Sequence, residues 1–458
     1  MTIATAGPRS NWRDRRRRAR RTSRSTELGL VLLAGLITAG AYALASLGKT
    51  ASLPANLGPF LIVIIGLVVA AHLAIRAFAP RADQTLLPLA GLLNGIGYVF
   101  IVRLNHRQAG LQAVWTMLGV GAFVATLVFV RRARDLDRYR YLFVFTGVGL
   151  LLLPLMPGIG RNIGGSRVWV SLGPLNFQPG EFAKLALVVF CASYLAEKRE
   201  VLAQGDRRIG VIPLPDLRAL GPVALAWGLS IVVMVFERDL GMSMLYFGLF
   251  IAMLYVATNR RRYIGAGVIM FAVASAFAYE AFGHVRVRFD VWLNPWPVAQ
   301  ASGYQVVQAM FAFGAGGVAG TGLALGSPQR IPAVQTDFIF AAIGEELGLV
   351  GTVLVLTAFL LLVGSALRIA ARTEHPFEKL VATGAAAILG MQTFIIVSGV
   401  IRLMPLTGLT LPFVSYGGSS LLANYVLLAL LVRISDESAA TAADQAASGA
   451  TSGARSRR

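Results

Sequence analysis

The residues able to do chemistry in this chain are a few carboxylates and guanidiniums set beside long apolar runs. The string TDFIFAAIGEELGLVG, residues 336–351, puts Asp337, Glu345 and Glu346 at the edge of, or inside, a predicted membrane helix. Carboxylates there are costly, so they face a cavity or a partner and mark function. In GSRVWVSLGPLNFQPGEFAKLAL, 165–187, Arg167 and Trp169 fall at a predicted outer interface. Pro179 then precedes a helix whose first turn holds Glu181, where the positive helix end favours an anion. Lys184, three residues on, shares a face with Glu181 and can pair with it. That pair suits a helix start or the guidance of a charged substrate, and composition alone leaves both open. FERDLGMSM, 236–244, is a tight turn carrying Glu237, Arg238 and Asp239, readable as a solvated hairpin or as part of a site.

Further on, Arg286 and Arg288 alternate with apolar residues ahead of Asp290 in a long predicted outer loop. Outer arginines run against the topology bias and point to an anionic ligand. A pyrophosphate between a lipid and a sugar is such a ligand, and the planar fork of Arg suits phosphate. Glycines at 314–322 permit tight turns but match neither a P-loop nor a dinucleotide fingerprint. PLTGLTLPFVSYGGSSLLANY, 405–425, predicts broken helical geometry, tolerated where it lines a cavity or is buried in protein; close packing by small residues is the alternative.

The elements that must position these groups are membrane helices. With 56% hydrophobic and 14% charged residues and a mean hydropathy of +0.67, the 458-residue chain carries more apolar surface than a soluble domain hides. Its apolar stretches are of bilayer length, about 20 residues. The net charge of +20 does not indicate nucleic acid, because the arginines sit in short loops between apolar runs. They follow the positive-inside rule, with inner clusters at 131–140, 198–218, 260–262 and 368–379. The one cysteine, Cys191, excludes an intrachain disulfide. The run 27–48 is too long for a signal peptide and is read as a retained span. The basic RRRRARR at 15–21 is a topology signal or an anionic-lipid contact.

Twelve helices are predicted, near 27–48, 56–79, 84–102, 112–130, 141–157, 180–196, 219–236, 240–258, 263–282, 338–366, 380–401 and 410–432. An even number puts both termini on one side, and the arginine-rich tail makes that side the cytoplasm. The chain divides into an arginine-rich tail (1–25), two added helices (26–80), a main membrane domain (81–435) and an Ala/Ser/Gly-rich tail (436–458). Both tails are expected to be disordered. The outer loops 158–179 and 283–337 are the long ones, and the second is expected to fold as short helices and turns.

Taken together, FQPGEFAKL, DLG, NPW......GYQ, TDFIFAAIGEELGLVG and LTLPFVSYGGSSLL resemble the SEDS family (shape, elongation, division and sporulation), the group of RodA and FtsW. The resemblance runs over about 84–433 and is nearest to the actinobacterial RodA-like branch. It implies an all-α polytopic bundle of ten helices, here with two more at the N-terminus, and a large extracellular loop. It also implies polymerisation of lipid II into glycan strands at the outer face of the cytoplasmic membrane, with release of undecaprenyl pyrophosphate and a class B penicillin-binding protein as partner. The substrate-binding residues it implies are Arg286, Arg288, Arg167, Glu181, Lys184, Gln305, Asp337, Glu345 and Ser415. No metal ligands are assigned; a divalent cation, Mg2+ or Mn2+, is left open. There is one departure. Family patterns such as NPWEDPFGSGYQ carry an essential aspartate where this chain, in NPWPVAQASGYQ, has Val298. Asp290, eight residues earlier, is the nearest acidic replacement and is taken as the catalytic carboxylate. Two milder changes are PGE for PSE and ERDLG for QPDLG. A non-catalytic scaffold for a penicillin-binding protein and a lipid II flippase stand as alternatives.

Overall fold

Apolar runs that must satisfy their own backbone in a bilayer do so as helices. The computed structural model describes residues 24–51, 57–163, 166–172, 175–204, 207–209, 212–214, 221, 228 and 236–455. Among them are α1 (Ser25–Thr50), α2 (Leu57–Phe78), α3 (Leu86–Leu104), α4 (His106–Phe129), α5 (Arg140–Leu152) and α6 (Gly180–Gln204). Then come α7 (Leu240–Thr258), α8 (Arg262–Ala281), α9 (Gly283–Leu293), α10 (Tyr304–Gly316), α11 (Ile339–Arg372), α12 (Pro376–Val400) and α13 (Gly418–Arg455). Nine helical segments among the described residues are long and apolar enough to cross a membrane, so the chain is an all-α polytopic membrane protein. α2 holds a shorter apolar stretch, Ile62–Phe78. The predicted helix 219–236 falls almost wholly outside the described residues, as does the N-terminal tail to residue 23. The most buried helices, α12 and α13, form the centre, whereas α8 shows Val268, Ile269, Val273 and Phe277 to the surroundings.

Several predicted helix ends differ, most of all at the last helix. The last helix begins at Gly418 and not near 410, because Pro405 and Pro412 keep 401–417 irregular. It also runs on to Arg455 through the stretch expected to be disordered. Alanine is the best helix former, and the polar residues here have work at the bundle's inner end. Asp436 accepts from the Arg81 N–H at 2.7 Å, Glu437 from the Ala133 N–H at 2.8 Å, and Ser438 bonds Thr373 at 2.8 Å. Another difference lies in loop 158–179, which forms a small antiparallel sheet: β1 (Gly160–Ile163), β2 (Ser166–Leu172) and β3 (Leu175–Phe177), with Gly160 opposite Val170 and Val170 opposite Phe177. Val168 and Val170 alternate inward along β2, and Arg167 between them points out.

The two added helices are fastened at both ends. Arg24 pairs with the buried Glu27 at 2.5 Å and donates to the carbonyls of Ala79, Pro80 and Ala82; His72 of α2 meets the other Glu27 oxygen at 2.7 Å. Midway, Thr38 rests on Gly95 of α3, where a Cβ would overlap its side chain. At the far end Gly48 lies against the Leu323 carbonyl of the long outer loop.

That loop is held by a break in α11. Gly348 has φ 65° and ψ −163°, a conformation close to glycine-only. The break frees backbone groups that the loop then uses. Leu349 and Val350 donate to the carbonyls of Gly317 and Val318, and Thr321 and Gly322 donate to those of Glu345 and Glu346. A Cβ at Gly348 would strike the Gly320 nitrogen and the Val318 oxygen. Gly348→Ala is therefore expected to cost about 1–3 kcal/mol from backbone conformation alone. The check is a lowered thermal unfolding midpoint in detergent; an unchanged midpoint would contradict the strain account.

Candidate functional site: a polar chamber at the convergence of helix starts

Five helices begin at one chamber. Asn105 caps α4, its side chain accepting from the N–H groups of Arg107 and Gln108. Asp239 caps α7 by accepting from the Met242 N–H at 3.0 Å. α6 starts at Gly180 after Pro179, α11 at Ile339 after Asp337, and α13 at Gly418. The enclosed space is about 510 Å³, and its lining includes Gln108, Glu181, Asp239, Asp337 and Gly418, one from the start of each helix. Helix starts carry partial positive charge and unpaired N–H groups, so the chamber is biased toward an anion before any side chain is counted.

The side chains sharpen this. Arg288, from α9, lines the chamber and donates from Nη1 to the carbonyls of Leu406 and Thr407, each at 2.9 Å. It thereby ties α9 to the irregular segment 401–417. Arg238, held at φ 61° in the turn before α7, brings a second, exposed guanidinium to the wall. Opposite charges stand with them. Burial pushes the Asp337 carboxyl up to about 6, against the pull of Thr336 and Arg288. Burial likewise lifts Asp239 to about 6; the Met242 N–H and Arg288 oppose the shift, and Glu181 and Asp337 add to it. Both acids hold a proton more tightly than in the unfolded chain. The fold therefore loses stability as pH climbs from about 4 to about 6, and the loss is complete above that.

Glu181 lines the chamber, and Lys184, fully buried beneath it, forms an ion pair with it. Lys184 also donates to Gln392 Oε1 at 3.0 Å, and Gln392 Nε2 donates to the Thr410 carbonyl at 2.8 Å. The chain of contacts links α6 through α12 to the chamber rim.

Of the residues expected from sequence, Glu181, Asp337 and Arg288 line the chamber and Lys184 supports it. The other expected residues do not line it. Arg286 is exposed and pairs with Glu280 at 3.4 Å. Asp290 is exposed on the same face of α9 and accepts from the Tyr279 hydroxyl at 3.3 Å. Arg167 points outward from β2, and Gln305 reaches the Pro332 carbonyl at 3.3 Å. Ser415 is a tie, donating to the Thr336 carbonyl at 2.6 Å and accepting from the Leu411 N–H. Glu345 accepts from the Ser327 N–H at 2.6 Å, and Glu346 pairs with Arg103 at 2.8 Å; both hold the loop behind the α11 break. Val298 ends a single turn, its carbonyl accepting from Ala301 and Gly303, and it too is absent from the chamber lining. Arg238 and Asp239, which the sequence left between a solvated hairpin and a site, both line the chamber. The available signal was an Asp two residues before a glycine at a span start, the pattern of a helix cap.

The fold and chamber define a polytopic membrane protein with a polar, charge-lined cavity sunk into one end of its bundle. A sequence model of the cell cycle protein family of FtsW, RodA and SpoVE matches residues 86–440, and the chain belongs to that family. It is 42% identical over 425 residues to the peptidoglycan glycosyltransferase RodA of Mycobacterium tuberculosis strain H37Rv, covering 90% of this chain and 91% of that one. A probable peptidoglycan glycosyltransferase FtsW from Geobacter sulfurreducens is 35% identical over 371 residues, covering 78% and 95%. Among solved structures, a chain from work on the coordination of polymerization and crosslinking by a peptidoglycan synthase complex aligns with a TM-score of 0.65 at 27% identity, covering 78% of this chain and 98% of that one. The crystal structure of the Thermus thermophilus rod shape determining protein RodA aligns at 0.55 and 26%, covering 77% and 96%.

Lys184→Met leaves the Glu181 carboxylate buried without its cation and is expected to cost about 3–5 kcal/mol of stability. Adding Glu181→Gln should recover most of the loss. The unfolding midpoints of the single and double variants in detergent check this, and a single variant as stable as the wild type would contradict it.

Proposed function

We propose that this protein is a peptidoglycan glycosyltransferase that polymerises lipid II into glycan strands, serving cell elongation or division. The carrying observation is the chamber itself, where five helix starts, Arg288 and Arg238 meet three carboxylates. The reaction joins an acceptor sugar hydroxyl to the anomeric carbon of a donor, breaking that carbon's bond to the diphosphate. The hydroxyl proton must go to a base, and the leaving undecaprenyl pyrophosphate must be neutralised. Asp337 and Asp239, ionised above about pH 6, supply the base. The two guanidiniums and the helix starts supply the positive charge. Val298 lies outside this lining, so its lack of a carboxylate leaves the chamber's acids in place.

A divalent cation is consistent with the donor set. Among the described residues no three His, Cys, Asp or Glu side chains group as a metal site, but Mg2+ is commonly held by one or two carboxylates plus substrate phosphates. Asp239 and Asp337 would hold it, and when bound it would add charge neutralisation at the diphosphate.

The arginine clusters at 131–140, 260–262 and 368–379 support a reading with both termini in the cytoplasm and the chamber at the outer face of a bacterial cytoplasmic membrane. Similarity to a chain of a peptidoglycan synthase complex supports a crosslinking partner, a class B penicillin-binding protein.

Purified protein given lipid II should yield glycan oligomers. Lipid movement between leaflets without oligomers would favour a flippase, and neither activity would favour a scaffold. The rate should rise with pH through about 6 as the acids ionise. Asp239→Asn keeps the helix cap, since Asn caps as well as Asp, but removes the charge. A loss of about 10²–10⁴-fold is expected if it is the base, and Asp337→Asn is the matching test for the other acid. Full activity in both variants would remove these carboxylates from the mechanism.

A further inference from the structure

The charged groups occupy only part of the chamber wall. Asp239, Glu181, Asp337 and Arg288 act electrostatically on one another and come from α6, α7, α9 and the entry to α11. The wall that α4 contributes is neutral: Gln108, Leu111 and Trp115. Gln108, Gln112 and Thr116 are four residues apart, so they form one stripe along α4 running from the chamber into the interior. Gln112 is fully buried, and among the described residues neither its amide oxygen nor its amide nitrogen meets a hydrogen-bond partner. The buried Gln108 Oε1 and Asn94 Oδ1 are likewise unpartnered. The inner end is closed by Asn94, which donates to the Tyr425 hydroxyl at 3.0 Å, and by Thr116, which donates to the Gln112 carbonyl at 2.8 Å.

Orphaned amides are costly in a membrane interior, and folded proteins leave few of them. Of these four atoms, Gln108 Oε1 stands at the chamber lining and calls for a neutral guest, while those of Gln112 and Asn94 lie deeper, outside the lining. An ion does not fit, because nothing on this stripe carries charge. Trp115 beside it offers a large apolar face, kept close by Gly418, where a Cβ would overlap the indole.

We propose that Gln108, with Trp115, forms a subsite for an acetamido sugar of the lipid-linked substrate. An acetamido group carries one N–H and one carbonyl, the complement of a glutamine amide. The apolar face of the sugar ring packs on the indole. The subsite rests on the glycosyltransferase reading and adds to it the group that is read: charge at one wall holds the diphosphate, and the neutral Gln108 amide at the other selects the sugar. Water is the competing guest.

The test is equilibrium binding to the full chain in detergent, followed by intrinsic tryptophan fluorescence. Three probes are compared: the undecaprenyl-pyrophosphoryl disaccharide, the same molecule with hydroxyls in place of its acetamido groups, and undecaprenyl pyrophosphate without sugar. The wild type should prefer the acetamido probe by about tenfold or more, the worth of one well-made hydrogen bond. Gln108→Leu should bring that ratio near one while sparing undecaprenyl pyrophosphate, whose affinity also reports a folded chamber. If Gln108→Leu does not fold, Gln108→Asn, with its amide withdrawn by one methylene, reads the same ratio. A ratio unchanged in the variants, or equal weakening of all three probes, would overturn the subsite and leave water as the guest. Polymerisation of lipid II by the same preparation is scored separately. An intact ratio without glycan would sink the polymerase reading while supporting the subsite.

Discussion

Acids and arginines cannot sit inside a bundle of this hydropathy unless each is answered, and the chamber's architecture follows from that constraint. Asp239 and Asp337 are buried deeply enough to hold their protons to about pH 6. They remain compatible with the fold because Arg288 stands near both and because helix starts surround them. The same positive background makes the chamber receptive to a diphosphate. Stabilising the protein's own carboxylates and receiving an anionic lipid are therefore one electrostatic arrangement serving two ends.

Holding five helix starts together requires rigid supports outside the chamber. The Glu181–Lys184–Gln392 connection fixes α6 to α12 and to the rim at Thr410. The break at Gly348 lets residues 317–322 pair with the interrupted helix, with Glu346 and Arg103 locking the arrangement to α3. At the opposite end Arg433 reaches the carbonyls of Phe78, Leu127 and Val130, joining the added helices, α4 and α13.

The helices were legible because apolar length and loop arginines are local signals. The span 240–258 coincides with its structural counterpart. Glu181 and Lys184 were legible as a pair because a three-residue spacing means one helix face. What failed depended on geometry that a string does not carry. Arg286 and Arg288 look equivalent in a loop whose short helices the sequence does not locate, but both fall on the helix α9, and residues two apart face nearly opposite ways. Arg288 thus enters the chamber, while Arg286 and Asp290, four apart, share the exposed face. Glu345 and Glu346 were recognised as costly carboxylates, but the backbone break that employs them arises from a tertiary contact with residues 317–327. Asp239 resembled a hairpin residue because its role comes from the other helix starts brought beside it.

The central claim is that convergent helix starts and Arg288 bind the diphosphate of a polyprenyl lipid. Affinities of the purified protein for undecaprenyl pyrophosphate and for undecaprenol, measured for the wild type and for Arg288→Gln, test it most directly. The account predicts that the wild type prefers the pyrophosphate and that the substitution weakens it by about ten- to a hundredfold while leaving undecaprenol unchanged. Equal affinity of the wild type for the two lipids, or an Arg288→Gln protein that binds the pyrophosphate as well as the wild type, would contradict it.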